Sequence, residues 1–296
     1  MYKTGKPYIK KILELIKNTH TQELRPPASS DGIGTKGFYH WQHKSFRNAV
    51  LDSLAMNLND MAVLRARIYF LQDHIILPLD DERAILKIVE NLVKECKKRE
   101  IQIIAGETSI HDDFAGLEIS IAVQGAYENH KGNKFQIGDS LIGIRSSGLH
   151  SNGFTKVREV FGNEFRLEFI EPTLIYYDKV LELNSKFDIH GMEHITGGAF
   201  ARLKKFLNES DIEIDNPLKP HEIFYELYSK EVSDEEMYTT FNCGTGFVLS
   251  VSSDDSASIV SDLNNNRFFA GIIGRVVEGE GKVKIKSAFS KELVVL

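Results

Sequence analysis

The sequence predicts a mixed α/β (α+β) protein built as two domains. Three observations carry that reading. Helical stripes and β-rich runs mix along the whole chain rather than segregating into one class. A chain of 296 residues exceeds the ~100–200 residues of one ordinary domain. A polar, turn-like stretch at 128–134 divides it, giving expected domains of 1–133 and 134–296.

In the first half, Ile9, Ile12, Leu13 and Ile16 recur at helical spacing. They predict an amphipathic helix over 8–18, broken by Arg25-Pro26-Pro27. Residues 31–37 read as a glycine-rich loop. Val50, Leu54, Leu58 and Met61 recur every three or four residues, so 47–64 reads as a helix with one buried face. The run 68–77 is β-branched and aromatic and stops at Pro78, which predicts a strand. Asp80-Asp81-Glu82 opens a helix at its positive dipole end. Its stripe is Ile85, Ile88, Val89, Leu92, Val93 and Cys96, and Lys97-Lys98-Arg99 closes it. Residues 101–105 read as a short buried strand ending in Gly106-Glu107-Thr108. Alternation of Leu117, Ile119, Ile121 and Val123 predicts a strand over 117–127.

The second half opens with a strand at 140–145 that runs into a serine-glycine loop. Helices are expected at 152–161, 172–184, 199–208, 234–241 and 254–264, and strands at 245–252 and 270–277. A charged, proline-containing stretch covers 209–222.

Composition narrows the function classes. Hydrophobic content of 42% and charged content of 26% are ordinary for a soluble globular protein. A net charge of -6, with basic residues dispersed, excludes a general nucleic-acid-binding surface. No apolar run approaches the ~20 residues of a membrane span, so no membrane partner is expected. The start, Met1 to Pro7, lacks a signal-peptide core. Cys96 and Cys243 cannot make a disulfide framework, which points to a reducing cytoplasm. Cys96 falls on an apolar stripe and reads as core.

Five polar-and-glycine clusters then stand out in series. They are Asp31-Gly32-Ile33-Gly34-Thr35-Lys36, Asn59-Asp60, Gly106-Glu107-Thr108, Ser146 through Gly153, and His194-Ile195-Thr196-Gly197-Gly198. Glycines there allow close backbone approach to a ligand. Asp31, Asp60 and Glu107, if folding joins them, would repel by ~4 kcal/mol per pair at ~4 Å and so call for a hard cation. Mg²⁺ suits such oxygens, together with substrate phosphates. Backbone N–H groups around Gly32 and Gly34 can cradle phosphate, and Lys36 can neutralise it, although the standard phosphate-loop string is absent. Ser146-Ser147-Gly148 after a strand and Asn152-Gly153 before a helix form an anion-site pattern that also reads as an ordinary helix cap. His194 with Thr196-Gly197-Gly198 repeats it. His190 and His194 lie four apart in what reads as a loop, without a third ligand at metal spacing.

At this point the chain resembles the phosphoribosylformylglycinamidine cyclo-ligase family, the aminoimidazole ribonucleotide synthetases of PurM-like fold. The family's Asp-Gly-Val-Gly-Thr-Lys stands here at 31–36, its Met-Cys-Val-Asn-Asp at 56–60, and its Gly-Gly-Glu-Thr at 105–108. Its Ser-Ser-Gly-Leu-His-Ser-Asn-Gly-Tyr appears at 146–154 with Phe154 last. Its His-Ile-Thr-Gly-Gly-Gly appears at 194–199 with Ala199 last. Its Glu-Met-x-x-Thr-Phe-Asn-x-Gly resembles Glu236 through Gly244.

The resemblance implies a nucleotide-binding N-terminal domain and homodimers whose N-terminal sheets associate. It implies ATP held by Asp31, Gly32, Gly34, Thr35, Lys36, Asn59, Gly106 and Thr108, with Mg²⁺ on Asp31, Asp60 and Glu107. A phosphoribosyl substrate is implied at Ser146, Ser147, Gly148, His150, Ser151, Asn152, Thr196, Gly197 and Gly198. Asp60, His150 and His194 are the implied catalytic residues, and the chemistry is ATP-driven ring closure. The family's glycine-rich segment before the first motif and its Gln-Gly-Ala-Glu-Pro after the second have no match here; Leu64-Arg65-Ala66-Arg67-Ile68 stands in the latter's place. Two alternatives stay open: ATP-dependent activation of another small molecule, and a non-catalytic binding protein.

Overall fold

The computed structural model describes residues 8–17, 26–129, 131–162 and 164–296. The Met1 to Pro7 start and Arg25 of the expected helix break lie outside the described residues. The first half contains α1 (Ile9–Lys17), β1 (Ala28–Gly32), α2 (Gly37–Gln42), α3 (Phe46–Val63), β2 (Ala66–Leu77), α4 (Glu82–Lys98), β3 (Gln102–Ile110) and β4 (Glu118–Tyr127). Its strands form one sheet in the order β1-β4-β2-β3, antiparallel except for the parallel β2–β3 pair. α4 follows its pattern: the Asp81 carboxylate accepts the Ala84 N–H at 3.0 Å, and Lys97 and Lys98 lie in the last turn.

The second half contains β5 (Ser140–Arg145), α5 (Phe154–Phe161), α6 (Tyr177–Lys186), β6 (Ile189–His194), β7 (Ser210–Ile214), α7 (Glu222–Ser229), α8 (Asp234–Thr240), β8 (Thr245–Val251), α9 (Ser253–Asn265), β9 (Ala270–Glu278), β10 (Val283–Lys286) and β11 (Leu293–Val295). These strands make a second sheet, β11-β10-β7-β9-β5-β8-β6, in which only β10–β7 is parallel. Both its faces are covered. Along β8, Phe247 and Leu249 join one apolar cluster and Val248 the other, as the two-residue period of a strand requires. The first cluster runs from Leu71 and Ile75 of β2 through Leu58 of α3 to Val180 of α6 and Phe247. One core therefore spans both halves, with α3 between the sheets.

That position corrects the one-faced reading of α3. Asp52, Ser53, Asn57 and Asn59 are buried along with the apolar stripe. A polar group buried without a partner costs roughly 1–3 kcal/mol, so such groups must find bonds. Ser53 Oγ donates to the Ile119 carbonyl at 2.7 Å, and Asn57 Nδ2 to the Asp31 carbonyl at 3.1 Å.

Other expectations shift as well. The 199–208 helix is a 3₁₀ helix over Ala199–Phe206, and α6 starts only at Tyr177. The Tyr176 N–H is held by Asn59 Oδ1 at 2.7 Å instead of by a carbonyl of a preceding helical turn. Residues 189–194 are a strand rather than a loop; buried nearly throughout, they show no polar alternation to read. β3 runs straight through Gly106-Glu107-Thr108 as an exposed edge strand.

Candidate active site in the cleft between the two halves

A cleft of about 830 Å³ opens between the halves. β1, the turn after it and the end of α3 supply one wall, with Asp31, Gly32, Gly34 and Asp60. Ser151, Asn152, Thr196, Gly197 and Gly198 supply the other. Four of the five sequence clusters thus contribute to one concavity.

The turn after β1 is fastened by a residue the motifs did not flag. Glu118 Oε1 accepts the Ile33 N–H at 2.9 Å, and Oε2 accepts the Gly34 N–H at 3.0 Å. Asp31 Oδ1 accepts the Gly32 N–H at 2.8 Å. Gly34 has φ 58, a left-handed conformation that glycine adopts without penalty. The N–H groups expected to cradle phosphate are therefore held by carboxylates of the chain itself. Burial pushes the Glu118 carboxyl up, and the two N–H bonds oppose that shift.

Asp60 lies in the last turn of α3 and is 7% exposed. His194 Nδ1, at the end of β6, sits 3.5 Å from Asp60 Oδ1. The His194 ring is fully buried and stacks on Phe247. Asn59 Nδ2 donates to the Leu174 carbonyl at 2.9 Å, so Asn59 tethers the 171–176 segment and does not face the cleft.

Lys36 also differs from its expected role. Its Nζ lies 2.8 Å from Asp52 Oδ2 and donates to the His150 carbonyl at 2.9 Å and the Glu171 carbonyl at 2.5 Å. No part of the side chain reaches solvent, which leaves it no approach to phosphate. Asp52 further accepts from His40 Nε2 at 2.8 Å, Ser151 Oγ at 2.8 Å and the Thr173 N–H at 2.7 Å. Burial alone would raise the Asp52 carboxyl, but Lys36 and His40 outweigh it and hold it below the usual carboxylate range.

The 146–153 loop turns most of its polar groups inward. Ser146 Oγ donates to Asn242 Oδ1 at 2.9 Å, Ser147 Oγ to the Pro172 carbonyl at 2.6 Å, and Asn242 Nδ2 to the Gly148 carbonyl at 2.8 Å. His150 is buried and accepts the Ser147 N–H on Nε2 at 3.2 Å. Burial pushes its imidazole well below the ordinary value, so it is neutral at pH 7. Only Ser151 and Asn152 of this string reach the cleft. Gly153 caps α5 with φ 74, and a Cβ there would meet Phe241 Cε1 at 2.3 Å.

Thr35 is exposed on a separate shallow pocket beside α5. Gly106, Glu107 and Thr108 are exposed on β3, where Glu107 pairs in register with His74, and they do not join Asp31 and Asp60 within the chain. Among the described residues no group of three or more His, Cys, Asp or Glu is placed to hold a metal. His190 and His194, four apart on a strand, lie about 13 Å from each other and cannot share one. His190 instead pairs with Asp139 at 2.8 Å. The cleft also contains Glu193, Arg202 and Lys205, which sequence reading passed over.

The chain is similar to known proteins across both halves. Residues 28–127 match the family described as AIR synthase related protein, N-terminal domain, and 136–286 match its C-terminal domain. The phosphoribosylformylglycinamidine cyclo-ligase of Methanococcus vannielii is 32% identical over 90% of this chain and 81% of that protein. The enzyme of the same name from Clostridium perfringens is 34% identical over 88% of this chain and 83% of its own. The structure of hydrogenase maturation protein HypE in complex with ATP aligns with a TM-score of 0.66 at 16% identity, covering 98% of this chain and 90% of that one. Thiamine monophosphate kinase from Aquifex aeolicus aligns at 0.65 and 17%, covering 93% and 96%. These two likenesses establish a shared fold.

Proposed function

The chain belongs to the AIR synthase family, and from that premise we propose that it closes formylglycinamidine ribonucleotide to aminoimidazole ribonucleotide at the expense of ATP. One observation carries the reading: the cleft gathers Asp31 and Asp60 from one half and Ser151, Asn152, Thr196, Gly197 and Gly198 from the other. In this reaction the formamide oxygen takes the γ-phosphoryl group of ATP. The amidine nitrogen attacks the same carbon and phosphate leaves. Positioning and charge neutralisation supply most of the acceleration in such chemistry.

The residues fit a Mg²⁺-nucleotide. Mg²⁺ commonly uses one or two protein carboxylates and completes its shell with phosphate and water. Asp31 and Asp60 supply two, and Glu118 keeps the turn that carries Asp31 in shape. Bound there, the ion would neutralise phosphate charge. His194 fixes the Asp60 carboxylate from the buried side. Ser151 and Asn152 orient the second substrate, and the Lys36–Asp52 pair holds their loop against the nucleotide wall.

We further propose a homodimer through the first sheet. β3 is its edge, and Tyr69, Phe70 and Ile104 are 45%, 42% and 46% exposed on or near it. Such pairing covers the strand that carries Glu107. Two free, buried cysteines suit a reducing cytoplasm, and no helix among the described residues is long and apolar enough to cross a membrane.

Expression in a purine auxotroph that lacks the cyclo-ligase tests the activity. Growth without added purine is expected. Failure to grow, with folded protein present in the cells, would reject this substrate and favour a relative acting on another small molecule.

A further inference from the structure

Glu193, Arg202 and Lys205 form a charged triad on the second wall of the cleft. Glu193, near the end of β6, is 1% exposed. Its Oε1 accepts Arg202 Nε at 2.7 Å, and its Oε2 lies 2.8 Å from Lys205 Nζ. Arg202 Nη1 also reaches the Gly197 carbonyl at 3.4 Å. The two cations are 22% and 46% exposed, and all three residues line the cleft beside Gly197 and Gly198.

One cation is enough to compensate a buried carboxylate. Here there are two, so this wall carries net positive charge. Tying Nε to Glu193 fixes the guanidinium plane and leaves Nη2 and the second Nη1 hydrogen for another acceptor. Among the described residues Nη2 bonds to nothing. A fixed planar fork beside an ammonium group matches a phosphate ester, with two directed bonds from the first and a point charge from the second. The facing wall is acidic, with Asp31 and Asp60. An anion carrying its own Mg²⁺ suits that wall, and an anion without one suits the triad.

The geometry points to Arg202 and Lys205, held in place by Glu193, as the site that binds the phosphate ester of the ribonucleotide substrate. The identity of that substrate rests on the ring-closure reading. A phosphate ester has two possible sources here, the ribose 5-phosphate end of the ribonucleotide and the phosphates of ATP. The acidic wall assigns ATP elsewhere.

The test uses the double variant Arg202→Gln/Lys205→Gln, together with a triple variant that adds Glu193→Gln so that no unpaired carboxylate stays buried. Calorimetry compares ribose 5-phosphate with ribose. The wild type should prefer ribose 5-phosphate by about tenfold or more, and both variants should lose that preference. In turnover, KM for the ribonucleotide should rise about 10–100-fold while KM for ATP stays within about twofold. An unchanged preference in the folded triple variant overturns the inference, as does a rise confined to ATP. If the wild type turns over no ribonucleotide, the ring-closure reading fails, and the sugar-phosphate calorimetry still decides the triad's role.

Discussion

Lys36 and Asp52 form an ion pair at 2.8 Å with both side chains wholly buried. The pair joins elements that sequence separates widely. Lys36 closes the Asp-Gly-Ile-Gly-Thr-Lys string, while its bonds reach His150 and Glu171 and those of Asp52 reach Ser151 and Thr173. The 31–36 string is thereby pinned to the 146–153 loop and the 171–176 segment.

Breaking this pin costs stability. Lys36→Met or Asp52→Leu alone leaves a buried unpaired charge, a loss of about 3–5 kcal/mol. The double variant should lose less than the sum of the two. Urea denaturation measures all three. A loss under about 1 kcal/mol for Lys36→Met, with ATP affinity gone, would make Lys36 a phosphate ligand after all.

Acid should destabilise the protein in two stages. Burial holds His150 well below its ordinary value and lowers His40 too. Unfolded, both titrate near ~6.5. Below that pH the unfolded chain takes up protons that the folded chain refuses, so stability falls as pH falls, by up to about 1.4 kcal/mol per unit per histidine. Asp52 acts lower down: its depressed carboxyl contributes stability above about pH 3.9 that is lost on further acidification. Denaturation midpoints between pH 7.5 and 5 should decline, and His150→Gln should flatten the slope. An unchanged slope would mean that His150 is protonated in the fold.

Asp60→Asn should lower ATP turnover by more than about tenfold and shift the melting midpoint by less than about 3 °C. The carboxylate lines the cleft at 7% exposure, and the amide keeps its shape. A large drop in the midpoint with turnover preserved would make the Asp60–His194 contact structural.

Glu118→Gln removes one of the two acceptors that hold Ile33 and Gly34. The amide oxygen can keep the Ile33 N–H, while its NH2 group then faces the exposed Gly34 N–H and loosens that turn, so KM for ATP should rise by about tenfold or less with a smaller change in kcat. Equal ATP affinity in both proteins would show that the turn keeps its shape unaided.

What the sequence disclosed follows from what is local. The α4 stripe with its Asp81 cap, the alternation of β4 and the glycine strings each depend on neighbours within a few residues. β6 hides because Glu193 and His194 are both buried, so Ile-His-Gly-Met-Glu-His shows no period. α3 hides its polar side because those residues bond inward. In the candidate site, the residue types at Asp31, Asp60, Asn152 and Thr196 indicated ligand chemistry, but pairings across 85 or 114 positions, such as Ile33 with Glu118 or Lys36 with His150, leave no local trace. Asp52, a carboxylate in the middle of the apolar 47–64 helical run, was the available clue. Arg202 and Lys205 leave no local signal either, because the Glu193 carboxylate that pairs with both lies on another element.

The most direct measurement supplies the purified protein with Mg²⁺, ATP and formylglycinamidine ribonucleotide labelled with heavy oxygen in the formyl group. The account predicts aminoimidazole ribonucleotide and ADP in equal amounts, with the label recovered in inorganic phosphate. Absence of the aminoimidazole product from protein that binds ATP, or phosphate released without the label, would contradict it.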